Sequence, residues 1–251
     1  MAPNVTLITL GIALIGGIIP AFIWLWFWLK EDRLHPEPKW MICFTFLGGV
    51  VATAFAYPAE KFIAGINLQG EFALLLSWAI VEEVLKLFFV AIIALQSRHY
   101  DEPIDAVIYM ITGALGFAAL ENGLFLLDPL TGGDISSGII LGNFRFVGAT
   151  LLHVACSATI GIFIALAWKR SRLYLTASVL VGLYIAVLLH TLFNFTIIRS
   201  EGDHLYLTFS ILWTVVVAIL FVAERIKHIR EPDSRLRPST PLTPAPLIVN
   251  N

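Results

Sequence analysis

An all-α, polytopic transmembrane bundle of about seven helices is the fold class this sequence predicts, on three observations. Of 251 residues, 58% are hydrophobic and 14% are charged, against about 45–50% and about 25% in a soluble domain. Mean hydropathy is +0.85. Apolar stretches of about 20 residues, enough helix to cross a hydrocarbon core of roughly 30 Å, follow one another with short connections. No hydrophilic block is large enough to fold alone, so one membrane domain is expected over residues 1–229.

The first span is placed at 5–29. It lacks Lys and Arg, and so lacks the basic start of a secretory signal, and its apolar run is too long for one. His35-Pro36-Glu37-Pro38 breaks the chain before a second span at 40–57, which Tyr57-Pro58 ends. The third runs 71–95. Asp101-Glu102-Pro103 separates it from a fourth at 104–127, closed by Asp128-Pro129 and Thr131-Gly132-Gly133-Asp134. Spans at 139–168, 173–198 and 205–223 complete the set. Trp24, Trp26, Trp28 and Trp40 read as interfacial anchors. Cys43 and Cys156 fall in apolar segments, where cysteine behaves as a small hydrophobe, and no disulfide framework is expected. Residues 230–251 carry Pro232, Pro238, Pro241, Pro244 and Pro246 among polar residues, the composition of a disordered tail.

If the spans alternate, Lys30, Arg33, Lys39, Arg98, Lys169, Arg170, Arg172, Arg225, Lys227, Arg230, Arg235 and Arg237 share one side, against Lys61 and Arg199 on the other. That bias predicts the N-terminus outside and the C-terminus cytoplasmic. Of the two remaining cations, Arg145 reads as snorkelling to headgroups from the outer end of its span, and Lys86 lies deep. A net charge of −2 singles out no partner; the lipid bilayer is expected, a nucleic acid is not.

Ionisable groups within spans are costly and mark functional sites. The third span holds Glu82, Glu83 and Lys86, and on a helix Lys86, three and four residues on, reaches either carboxylate. One Glu can then be paired while its neighbour takes a proton. The fourth span holds Glu121 and Asn122, the fifth His153, the sixth His190 and Asn194, four apart on one face. Singly, each has a structural alternative: an interhelical ion pair, a satisfied acid, a hydrogen-bonded histidine. Together, glutamates and histidines on different helices supply N and O donors for zinc, room for water and a carboxylate to deprotonate it, the set that metal-assisted hydrolysis needs. Two non-enzymatic readings stand beside it, a membrane carrier with a proton relay and an immunity-type protein with a polar intramembrane site.

The residues also resemble the PrsW family of intramembrane proteases. Glu82-Glu83-Val84-Leu85-Lys86 is similar to its Glu-Glu-x-x-Lys motif, Phe117 to Glu121 to its Phe-x-x-x-Glu motif, and His190 to its late histidine. Asp32-Arg33-Leu34-His35-Pro36-Glu37-Pro38 and Asp101-Glu102-Pro103-Ile104-Asp105 match flanking features, so the resemblance runs from about residue 30 to 195. The CAAX prenyl endopeptidases and bacteriocin-processing proteins are more distantly similar. The chain agrees with them at His190 and Asn194, and departs at Lys86 and at Glu121, where they carry His.

The resemblance implies an intramembrane metalloprotease in a bacterial-type plasma membrane. It would make the first, extracytoplasmic cut in a membrane-anchored protein such as an anti-sigma factor. The expected roles are Glu82 or Glu83 as general base, Glu121, His153 and His190 as zinc ligands, Asn194 as oxyanion donor, and Lys86 and Asn122 in support. On the predicted spans Glu121 and His190 lie roughly 9–12 Å, and Glu82 roughly 17 Å, below the outer ends. A prenyl endopeptidase would instead work at the cytoplasmic face.

Overall fold

The computed structural model describes residues 6–31, 36–66, 68–199 and 205–227. Eight helices follow in order: α1 (Leu7–Glu31), α2 (Lys39–Gly65), α3 (Glu71–Val90), α4 (Asp105–Thr131), α5 (Ile135–Phe144), α6 (Thr150–Leu166), α7 (Arg172–Arg199) and α8 (Leu205–Lys227). A π turn, Ala91–Leu95, extends α3, and a second, Arg145–Ala149, joins α5 to α6 as one long span. No strand occurs among the described residues. By length and composition six of these spans can cross a membrane; α3, which carries Glu82, Glu83 and Lys86, completes the seven expected. The tail at 230–251, and Asp32 to His35 of the flanking motif, lie outside the described residues.

Two expected breaks are absent. α2 continues through Pro58 to Gly65, and α4 through Pro129 to Thr131. In hydrocarbon every unpaired backbone group costs several kcal/mol, so losing one helical bond at a proline is cheaper than opening a turn.

α4 is the axis of the bundle. Every residue from Pro103 to Ala119 is buried, as a helix apolar on all faces requires. α1, α2 and α6 pack around it. The close approach rests on small residues. A Cβ on Gly49 of α2 would overlap the Gly113 carbonyl of α4, one on Gly116 the Phe46 carbonyl of α2, and one on Gly17 of α1 the Ala119 carbonyl. Across the α2–α4 seam the Thr53 hydroxyl donates to the Phe117 carbonyl at 3.0 Å. Backbone atoms leave no flexible neighbour to yield. Gly116→Val is therefore expected to cost about 3 kcal/mol or more, the upper range of core overpacking, and Gly11→Val, with nothing among the described residues within 4 Å of the new Cβ, to leave the thermal midpoint in detergent unchanged.

At one end of the bundle the two flanking motifs meet. The Tyr109 hydroxyl donates to Glu37, and the Asp105 carboxylate accepts from the backbone N–H of Asp101 and Glu102 at 3.0 and 2.7 Å. At the other end Arg199 of α7 donates to Glu71 of α3 at 3.3 Å, bringing the end of α7 to the start of α3. The tryptophans divide. Trp26 and Trp40 are exposed as anchors should be, but Trp28 is buried beside Ile104, Val107 and Leu220, because α1 lies flat against α4 and α8 covers it there. Cys43 and Cys156 are unpaired.

Candidate active site

Three helices deliver the polar groups to one buried point, and a fourth covers it with an aromatic ring. Glu82, Glu83 and Lys86 share a face of α3 because their spacing is that of one helical turn. His153 arrives from α6, His190 from α7, and Phe117 from α4. All five polar residues are buried, Glu83 and Lys86 completely.

The Lys86 ammonium has three hydrogens and three acceptors: Glu83 Oε1 at 2.7 Å, His153 Nδ1 at 2.7 Å and Glu82 Oε2 at 3.4 Å. It also lies 4.2 Å from the centre of the Phe117 ring, a cation–π contact on its remaining side. Lys86 has no lone pair to offer, so His153 Nδ1 accepts. His153 Nε2 then carries the proton and donates to Glu121 Oε2 at 2.9 Å. On the same logic His190 Nδ1 donates to Glu83 Oε1 at 2.9 Å, leaving the Nε2 lone pair turned toward Glu82. The imidazoles stand nearly perpendicular, 5.2 Å between ring centres.

These lone pairs converge. Glu82, Glu83, His153 and His190 each offer one ligand atom, and the four atoms lie within 4.8 Å of one another. Glu82 Oε2 is 3.8 Å from His153 Nδ1 and 3.8 Å from His190 Nε2, close to the roughly 3.4 Å that separates donors of a tetrahedral metal at about 2.1 Å. Each histidine also has a carboxylate on its other nitrogen, the pattern that fixes tautomer and orientation in metal sites. Glu83 Oε2 is buried and has no hydrogen-bond partner among the described residues. The donor set suits a divalent cation, and the ammonium of Lys86 already places one positive charge among the same acceptors.

The remaining expected residues are distributed unevenly. Glu121 stands one step back from the four, on the far nitrogen of His153, because Arg145 reaches it: the guanidinium Nη2 donates to Glu121 Oε2 and its Nε to Asn122 Oδ1 at 2.6 Å. Arg145 thus points inward and not to headgroups. Asn122 donates onward to Thr150 Oγ1 at 2.9 Å. Asn194 is half-buried in a cavity of about 330 Å³ shared with Arg145, Phe193 and Phe209, and no hydrogen bond joins it to the four converging residues. Sequence reasoning had only one signal for Arg145, a cation inside an apolar span, and its position near the span end suggested headgroups.

Glu121 has a second face. A cavity of about 330 Å³ between α2, α3 and α4 is lined by Glu60, Trp78, Phe117, Glu121 and Asp128 among others, and leads from the ends of α2 and α4 to Glu121 and Phe117. The Glu121 side chain is 18% exposed where Glu83 is 0%. The cluster therefore touches an open cleft through Glu121 and is otherwise closed.

Comparison with known proteins gives the same identification as the motifs. The sequence pattern of PrsW family intramembrane metalloproteases matches residues 37–223. The chain is similar to Protease PrsW of Bacillus subtilis, 31% identical over 159 residues that make up 62% of this chain and 67% of that one. It is 27% identical to Protease PrsW of Geobacillus kaustophilus over 209 residues, 79% of this chain and 86% of the other. The Clostridioides difficile protein of the same name is 26% identical over 218 residues, 82% and 83% of the two chains. No solved structure matches.

Proposed function

This chain belongs to the PrsW family and is an intramembrane metalloprotease, and on that premise we propose that the Glu82, Glu83, His153 and His190 centre cuts a membrane-anchored protein near its extracytoplasmic face. The observation that carries the reading is the convergence of four buried ligand atoms from three helices within 4.8 Å. The carrier and immunity-type readings have no comparable support.

In this reading His153 Nδ1, His190 Nε2 and Glu82 Oε2 hold zinc. Bound there, zinc supplies a Lewis acid for the scissile carbonyl and makes a water acidic enough to attack at neutral pH. The protein's own groups do the rest. Glu121 and Glu83 orient the two imidazoles by accepting their N–H groups. Glu83 Oε2, the carboxylate oxygen left without a partner, takes the proton of the attacking water. Lys86 keeps the paired carboxylates neutralised when no metal is held, and gives up its bond to His153 Nδ1 when one is. The cleft between α2, α3 and α4 admits the peptide past Glu121. Asn194 reaches the oxyanion only if substrate also enters the second cavity.

Depth and charge support the face. From the observed helix ends, Glu82 lies near mid-span, roughly 17 Å from the start of α3, while Glu121 and His190 lie roughly 15 and 14 Å from the ends of α4 and α7, against roughly 24 and 27 Å from the starts of those helices. The bias of Lys and Arg supports an orientation with the ends of α4 and α7 outside. A substrate of the anti-sigma-factor type, anchored by one span and cut outside it, fits that depth in a bacterial plasma membrane.

The test is cleavage of a single-span reporter by the purified protein in detergent. Cutting is expected to stop with a chelator and to return when zinc is added in excess. Cutting that persists through exhaustive chelation would remove the metal from the mechanism.

A further inference from the structure

We propose that Arg145 is a positioning residue for the hydrolytic centre, acting through Glu121 to hold His153 with its Nδ1 lone pair facing the metal position. The proposal deepens the reading above and rests on it for the metal alone.

An arginine inside a span is costly unless its donors are engaged. Here the guanidinium is engaged twice on one edge, by Glu121 and by Asn122, and its plane covers the Phe125 ring at 3.9 Å. A closed ring of hydrogen bonds fixes where it stands. Arg145 Nε donates to Asn122 Oδ1, Asn122 Nδ2 donates to Thr150 Oγ1, and the Thr150 hydroxyl donates at 3.0 Å to the carbonyl of Arg145 itself. Asn122 and Thr150 are buried, so neither can exchange these partners for water. Glu121 Oε2 then accepts from Arg145 and from His153 Nε2 at once. Held by the guanidinium, that oxygen stays in place as the acceptor of the His153 Nε2–H, and the imidazole, whose Nδ1 Lys86 already keeps free of a proton, stays turned with that lone pair toward the metal position.

The π turn makes this reach. In a regular α-helix residues eight apart stand about 80° around the axis from one another. A π turn absorbs one extra residue, so Arg145 and His153 stand like residues seven apart, about 20° out of line and two turns up one face. Both then address the same oxygen of Glu121.

Selective 15N-histidine NMR of the metal-free protein in detergent reads the tautomer directly, and titration with cobalt(II), followed by visible absorption, reads the metal site. In the wild type His153 is expected as the Nε2–H tautomer. Arg145→Gln is expected to move the His153 Nε2–H proton resonance as its bond to Glu121 loosens, with Lys86 still keeping the proton off Nδ1, to weaken cobalt binding by about 10–100-fold, the usual effect of losing an outer partner, and to lower kcat at limiting zinc with KM unchanged and kcat regained at excess zinc. Arg145→Lys, which keeps the charge but not the two-pronged donor, is the variant to use if Arg145→Gln does not fold, and is expected to fall between the two. Either folded variant with a wild-type His153 Nε2–H resonance and wild-type cobalt affinity overturns the proposal. So does a kcat loss that excess zinc leaves in place, which would make Arg145 a substrate contact. An Nε2–H resonance that responds to Arg145 in a protein that binds no cobalt at all would keep the positioning role and sink the metal reading instead.

Discussion

Glu83→Gln is expected to lower kcat by about 10²–10⁴-fold, the usual range for loss of a general base, while cobalt or zinc still binds. The isosteric amide keeps an oxygen to accept from Lys86 and His190, as Glu83 Oε1 does at 2.7 and 2.9 Å. What changes is the buried oxygen without a partner, which becomes an NH2 and can take no proton. Glu82→Gln should behave differently. It removes an anionic donor placed 3.8 Å from both histidine lone pairs, and is expected to weaken metal binding by more than the about 10–100-fold typical of an outer partner. Metal binding and single-turnover cleavage, measured on both variants, separate the roles. If Glu82→Gln binds metal normally and cuts nothing, while Glu83→Gln loses metal, the two assignments are exchanged.

Lys86→Met is expected to produce the largest change in stability, and a conditional one. The side chain is wholly buried and compensates two buried carboxylates. Removing one partner of such a set costs about 3–5 kcal/mol, because charge is left buried and unopposed. A divalent cation among the same acceptors would replace what the ammonium supplied. The thermal midpoint of Lys86→Met should therefore fall steeply in chelator and recover toward wild type with zinc, while wild type responds far less to the same addition. A loss equal in chelator and in zinc would mean that the ammonium and the metal do not address the same charges.

Much of this was legible in the sequence, and the limits have physical causes. Spans are easy to read because hydrocarbon allows only one solution for the backbone, and Glu82, Glu83, Lys86, His153 and His190 stand out because that solvent penalises them. Their meeting follows from the same penalty. The breaks at Pro58 and Pro129 were misread because turn signals learned in water carry less weight where a helix has no competitor for its hydrogen bonds. Arg145 was misread because snorkelling and inward pairing have the same sequence signature: a long cation near a span end. Glu121 was expected beside His190, and only the path of Arg145 through the wide turn explains why it contacts His153 on the side away from the other acids. Asn194 shares a helix face with His190 by spacing, but a difference of one turn in depth is enough to put it in another cavity.

The π turn at Arg145–Ala149 means that part of the site is written in the length of the chain, apart from its chemistry. No residue in the turn need change for the contact between Arg145 and Glu121 to be lost. Shortening it by one position would close it into ordinary α-helix and swing everything before it by roughly 100°, with α6, His153 and the apolar character of the span untouched. Residue types read at regular helical spacings reveal the carboxylates and imidazoles of this centre, but not a partner whose alignment depends on one inserted residue.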